Sequence, residues 1–452
     1  MFCQLTLENI HQRKIIVNYC ANLTLASFFE ICYSSLIVLH LRFGEWELKL
    51  LSIGQHAGTH SNYQHTVKLK NLKRAFDLIR SGRCDSRAAL AREMNLSATA
   101  VSALVEELVR ANMVLEAGAT HTAVPGRRAM KYVLNRAGHQ MAVFSLSSHG
   151  VRYTLFDLSC SVIEQLTFPI PDLNGAAHPG EVLADYIEDI LLHRSTRFDA
   201  RLAIMIGLSF PGIYLEDEQI FFVESAMNFS FTEASIRALG QKLGIPMLLA
   251  NVTMCLAYAE QKRLYPEYCD EKRDLLFINI CDGVGAGIVV NGDIMAGTFN
   301  TAGEMGHMSI DRNGLPCRCG NRGCLERYVN QNTILSLAAE VLRGAGISPP
   351  DSLEGLTPYI ALPCMAGVLD DVAQKLTFGI FSMMCATGIR RIVLGGGIEA
   401  LGSELLVRLR KMISQRRILA ERLQLDYALT LPSEDSLGLA MYYLDKAFNV
   451  TI

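Results

Sequence analysis

The chain lacks an excess of either charge. Its 42 Lys and Arg stand against 45 Asp and Glu in 452 residues, a formal net charge of −3. That balance names no partner for the molecule as a whole. Its 13 cysteines lack the regular spacing of a disulfide framework, which points to a reducing compartment, the cytoplasm. Low-complexity segments and short-period repeats are also missing, which excludes a solenoid of short units. Half of the residues are apolar and 19% are charged, so a large core is affordable and wholesale disorder is excluded. The length suits two or three domains.

Residues 1–66 read as an atypical extension. Cys20 to Leu41 is mostly apolar but carries Glu30 at its middle, a position where a carboxylate costs a few kcal/mol in a bilayer. No basic segment with a small-residue cleavage site gives it the form of a signal peptide. Met1 is the only methionine before Met94, and the expectation is that the functional chain starts at Val67 or Leu69.

The neutral total hides a basic module. Between Lys68 and Arg136 there are 13 Lys and Arg against 6 Asp and Glu, an excess of +7 that leaves −10 for the remainder. Leu72, Phe76 and Ile79 recur at helical spacing, and Ser81-Gly82 ends that helix. Asp85 or Ser86 caps a helix over Arg87–Met94, and Ser97 caps a longer one, Ala98 to Ala111, with Val101, Leu104, Val105 and Leu108 as its apolar face. Two helices joined by so short a turn predict a helix-turn-helix. Its second helix would enter the DNA major groove and offer Ser97, Thr99 and Ser102 to bases or phosphates. Met113–Ala117 and Met130–Asn135 read as strands of a wing whose tip carries Arg127 and Arg128.

From Met141 onward strands and helices alternate, which predicts an α/β body of two lobes. Its most specific stretch is Cys317-Arg-Cys319-Gly-Asn-Arg-Gly323-Cys324-Leu-Glu326, with His307 upstream. Three thiols and one imidazole within eighteen positions form a Cys3His set, a standard closed ligand set for structural zinc. Gly320 and Gly323 allow the loop to fold back on one ion.

His307 together with C-x-C-G-x-x-G-C-L-E resembles the ROK family, a group of bacterial sugar kinases and sugar-responsive transcription regulators. The resemblance runs from about Lys68 to the C-terminus. It implies an actin-like ATPase fold with a sugar cleft between the lobes. It also implies that Asn251, Glu304, His307 and Glu326 contact sugar hydroxyls, with Asn228 a weaker candidate. These types suit a fan of hydroxyls, since carboxylates and an amide each take two bonds.

The same resemblance shows what a kinase would need and this chain lacks. Ser145, Ser147 and His149 stand where the family's phosphate hairpin has Asp, Gly and Thr. Asp282 replaces the Thr of the nucleotide turn Cys281-Asp-Gly283-Val-Gly285-Ala-Gly287, and a carboxylate repels phosphate. Val252 replaces the catalytic Asp and cannot take a proton. The remaining glycines are expected to persist for their backbone angles.

The sequence therefore predicts an extension (1–66), a winged helix-turn-helix (67–138), a smaller lobe (139–252) and a larger lobe with the zinc loop (253–452), the last helix returning to the smaller lobe. The functional expectation is a homodimeric or higher-order regulator of operator DNA. Its effector would be a sugar or sugar phosphate. Two rivals stay open: a sugar kinase with a fused DNA head, and a regulator whose body docks a protein such as a transporter domain.

Overall fold

Two serines punctuate the N-terminal head. In a computed structural model, which describes residues 62–119, 130–215, 220–223, 229–265, 274–297, 301–416 and 421–448, the first helix, α1, spans Asn62–Arg80. A chain starting at Val67 or Leu69 would begin inside it. Ser86 Oγ accepts from Ala89 N–H to cap α2 (Arg87–Met94). Asn95 closes α2 in the left-handed conformation at φ 54°, and Ser97 Oγ then accepts from Ala100 N–H to cap α3 (Ala98–Arg110). A short polar side chain tolerates that backbone better than a branched one, which is why so tight a turn fits here. Val101, Leu104, Val105 and Leu108 are buried as their spacing requires. Strands β1 (Val114–Ala119) and β2 (Met130–Leu134) pair antiparallel, with Val114 opposite Leu134. Arg127 and Arg128 at the wing tip lie outside the described residues, as do Asn228 and the apolar run Cys20 to Leu41. Among the described residues no helix is long and apolar enough to cross a membrane.

The body repeats one plan. Its first sheet holds β3 (Gln140–Ser147), β4 (Gly150–Phe156), β5 (Val162–Phe168), β6 (Ala203–Phe210) and β10 (Met247–Asn251), in the order β10-β6-β3-β4-β5. The first three form an antiparallel meander, whereas β6 and β10 run parallel to β3. The second sheet holds β11 (Leu275–Ile280), β12 (Val284–Val290), β13 (Asp293–Ile294), β14 (Arg391–Gly395) and β15 (Gln424–Tyr427). Its order, β13-β12-β11-β14-β15, is the same plan: an antiparallel meander followed by two parallel strands. Parallel strands buried on both faces read as continuous apolar runs, and β6 and β11 are buried throughout.

Helix α4 (Pro179–Asp189) and α5 (Glu233–Leu243) cover one face of the first sheet through Leu183, Ile187, Ile236 and Leu239. Phe231 lies in β9 (Phe229–Thr232), and Thr232 caps α5. Strands β7 (Ile213–Leu215), β8 (Ile220–Val223) and β9 make a small extra sheet absent from the sequence reading. Helix α6 (Val252–Leu264) leaves the end of β10 and leads into the second sheet. There α7 (Gln331–Gly344), α8 (Ala366–Thr387) and α9 (Gly402–Ser414) share one core with β11, β12 and β14. The last helix, α10 (Asp435–Ala447), packs back on the first sheet and on α6, its Leu439 and Tyr443 meeting Met141, Met205 and Cys255. The same core takes in Leu72 and Phe76 of α1, so head and first lobe share buried surface.

Candidate functional site

The thiol loop is built by backbone pairing. Ile310 N–H donates to Gly323 O and Leu325 N–H to Met308 O, which brings Cys324 beside the His307 segment. Cys317 N–H donates to Asn321 O, curling Cys317 and Cys319 over the same point. Gly320 and Gly323 sit at φ 88° and 69°, conformations a side chain resists. The ligand atoms of His307, Cys317, Cys319 and Cys324 all lie within 4.8 Å of one another. Cys317 Sγ is 3.7 Å from His307 Nδ1, and Cys319 Sγ is 3.6 Å from Cys324 Sγ. A tetrahedron of ~2.3 Å zinc–sulfur bonds holds its sulfurs about 3.8 Å apart, so the donor set fits such an ion.

The thiols on their own resist joint ionisation. Burial, with the neighbouring Cys319 and Cys317, pushes Cys324 up to about 12. Cys317 falls below the usual thiol value although burial opposes it, because backbone and side-chain donors, Cys319 foremost, favour its thiolate. A dication at the centre would remove that conflict.

The loop then grips the glycine turn. Glu326 opens the short helix Glu326–Val329, is buried, and accepts from Val284 N–H at 3.2 Å. Gly303, at φ 95°, sits against the Ala286 carbonyl, and Ala286 N–H donates to Gly303 O at 2.8 Å. From the other side α6 reaches the same strand. A Cβ on Gly285 would come 3.1 Å from Thr253 Oγ1, and one on Gly287 would lie 2.7 Å from Thr253 O and overlap Ala257. Gly283, Gly285 and Gly287 are not among the positive-φ glycines. Backbone angle is therefore not what holds them, contrary to the sequence expectation. Close approach holds Gly287, where the Thr253 carbonyl and Ala257 leave no room for a Cβ, whereas a Cβ on Gly283 would come 3.0 Å from the Glu326 carboxylate.

The segments that carry Glu304, His307 and Glu326 thus meet β12, whereas Asn251 ends β10 and borders β12 only through the α6 it caps. Asn251 is the N-cap of α6: its Oδ1 accepts from Thr253 N–H at 2.7 Å, and its Nδ2 donates to Gly212 O at 2.9 Å. One N–H and one lone pair are left for a ligand. Glu304 is half-buried in the turn leading to His307. From the first sheet, Ser148 of the β3–β4 turn donates to Asp282 Oδ2 at 2.9 Å. Ser145 is buried at 3% exposure, Ser147 bonds Gly150 O, and His149 is exposed. In the head, Ser97 and Thr99 are exposed and Ser102 is half-buried. The Glu326–Val284 bond and the Ser148–Asp282 contact are not legible in the sequence. Neither has a local signal, since each joins segments distant in the chain.

Two sheets of the same strand order, joined by α6, place the body in the class of two-lobed actin-like folds. Within that class the ROK family profile matches residues 148–436, and the chain belongs to the ROK family. It is 25% identical over 381 residues to a putative xylose repressor of Caldicellulosiruptor sp. (strain Rt8B.4), covering 80% of this chain and 91% of that one. It is 27% identical over 261 residues to a glucokinase of Halalkalibacterium halodurans, covering 54% of this chain and 76% of that one. Among solved structures, a ROK family transcriptional regulator homologous to the E. coli MLC protein superposes with a TM-score of 0.69 at 22% identity, over 85% of this chain and 97% of that one.

Proposed function

We propose that this protein is a sugar-responsive transcriptional regulator, a repressor of carbohydrate-use genes, whose ROK body senses its effector without phosphorylating it. The observation that carries this is the capped helix-turn-helix joined to the body by a common core. The repressor similarity extends over 80% of the chain, more than residues 139–452 alone supply. The winged module (67–138) would read operator DNA with Ser97, Thr99 and Ser102, and Arg127 and Arg128 would reach backbone phosphates. Asn251, Glu304, His307 and Glu326 would hold the sugar or sugar phosphate. His307, Cys317, Cys319 and Cys324 would hold zinc, which pins the loop presenting Glu326. A homodimer in the cytoplasm suits paired half-sites.

Loss of kinase chemistry is part of the proposal. A neutral Ser145, a valine at 252 and the Asp282 carboxylate leave neither a metal-side acid, nor a base, nor a welcoming phosphate turn. A coupled ADP-release assay with ATP on D-glucose, D-xylose and N-acetyl-D-glucosamine is expected to show no turnover above background. Brisk turnover would instead favour the second reading, a kinase with a DNA head, which the glucokinase similarity supports.

Sugar sensing is tested by calorimetry on the same panel. One sugar should give heat, and Glu304→Ala should weaken its binding by about tenfold or more, the size of a lost hydrogen bond to a charged group. Unchanged affinity would remove Glu304 from the site. For DNA, Arg127→Ala with Arg128→Ala should flatten the slope of log K against log salt by roughly 2, one per phosphate contact. A slope equal to that of the wild type would place the wing off the backbone.

A further inference from the structure

Asp445 lies near the end of α10, 6% exposed, where helices from three parts of the chain meet. Lys73 Nζ of α1 stands 3.0 Å from its Oδ1. Lys262 of α6 ion-pairs with Oδ2, and the Tyr258 hydroxyl donates to the same oxygen. Burial alone would push the carboxyl upward, but Lys73 and Lys262 hold it well below the usual carboxylate range. Lys73 is also paired with Asp77 at 2.5 Å on its own helix. Beside the charges, the Phe76 and Phe448 rings pack with centroids 5.2 Å apart.

Buried ion pairs are poor sources of net stability, because desolvation offsets their attraction. This set instead fixes geometry, since its contacts are all made only when α1, α6 and α10 hold one arrangement. Helix α6 is well placed to transmit a change. Its N-cap is Asn251, and Lys262 lies roughly 15 Å along its axis. Its flanks are clamped: Gly287 sits against Thr253 and Ala257, and Gly438 of α10 sits on the Cys255 carbonyl. With no side chains to cushion these crossings, α6 cannot tilt without dragging α10.

We propose that Asp445 is the coupling point between the cleft and the DNA-binding head. A shift in the first turn of α6 travels along that helix and changes the grip of Asp445 on Lys73, and with it the packing of α1. This rests on the cleft being the effector site, so the test has one arm that needs no effector.

The experiment is amide hydrogen exchange on the full-length chain, read in peptides covering Lys68–Arg80. Asn251→Ala, which cuts the cap and the tie to Gly212, should speed exchange in α1 about tenfold. In a Lys73→Met background, α1 should already exchange faster, and adding Asn251→Ala should add nothing. Lys262→Met serves as a second background, with the substitution placed outside the head, on α6. Equal increments with and without Lys73 or Lys262 would overturn the proposal, because uncoupled sites this far apart are additive. In the second arm, a sugar from the panel of D-xylose, D-glucose and N-acetyl-D-glucosamine that gives calorimetric heat should alter α1 exchange in the wild type only. Lys73→Met should keep the heat and lose the response. A response that survives Lys73→Met would also overturn it. If no sugar gives heat, the sensing assignment falls while the Asn251 arm still decides the coupling.

Discussion

Cys319→Ser is expected to cost the body several kcal/mol of stability and its metal together. Cys319 is the most exposed of the four donors, so its hydroxyl analogue introduces no steric clash and the loss isolates ligation. Structural zinc supplies ~10–16 kcal/mol of apparent binding energy in small zinc peptides. A large lobe with its own core recovers part of that, and a fall of several kcal/mol lowers the melting temperature by about 10 °C or more. The consequence should reach the cleft, because Glu326 follows the third thiol closely and holds Val284 N–H. The checks are metal content by mass spectrometry, thermal melting, and the same melting after chelation of the wild type. Chelated wild type and Cys319→Ser should converge. A variant with native melting and full metal content would exclude the tetrad as a metal centre.

Acid should act in the same direction. Zinc binding requires thiolates, and Cys324 on its own titrates at about 12, raised mainly by burial. A bound zinc would hold that thiol ionised at neutral pH, and as pH falls protons would compete for the sulfurs and release it.

Much of this architecture was legible in the chain, and the reasons are local. Ser86, Asn95 and Ser97 specify the helix-turn-helix because caps and left-handed turns are written in single residues. The thiol loop was legible because its ligands are close in sequence and its glycines take positive φ. The sheet β7–β9 was not, since its strands are three or four residues long and carry no periodicity to detect. Asp445 was not either: on an amphipathic helix it reads as the solvated side, and only folding brings Lys73, Lys262 and Tyr258 around it. The sequence suggests backbone angle as the reason for the glycines at 283, 285 and 287, yet none of them takes positive φ. Sequence shows that glycine is present, whereas backbone angle and close approach are distinguished only by what lies opposite.

That distinction makes the sign of one substitution informative. Gly438 lies inside α10, and helix propensity alone predicts that Gly438→Ala stabilises by about 1 kcal/mol. Its surroundings predict the reverse. The new methyl would fall on the Cys255 carbonyl oxygen and lie 2.7 Å from its carbon, with Ala259 Cβ 3.3 Å away. The obstacle is the backbone of α6, which has no rotamer to give. Overpacking of this kind costs typically ~1–3 kcal/mol, and a rigid backbone obstacle puts the cost at the upper end. Net destabilisation of about 2 kcal/mol is expected, seen as a lower denaturation midpoint at unchanged m-value. If α6 separates from α10 to make room, the Asp445 contacts loosen as well, and exchange in α1 should rise with the loss of stability. A stabilised Gly438→Ala would mean that the two helices are not in direct backbone contact, and the route from cleft to head through them would lose its mechanical basis.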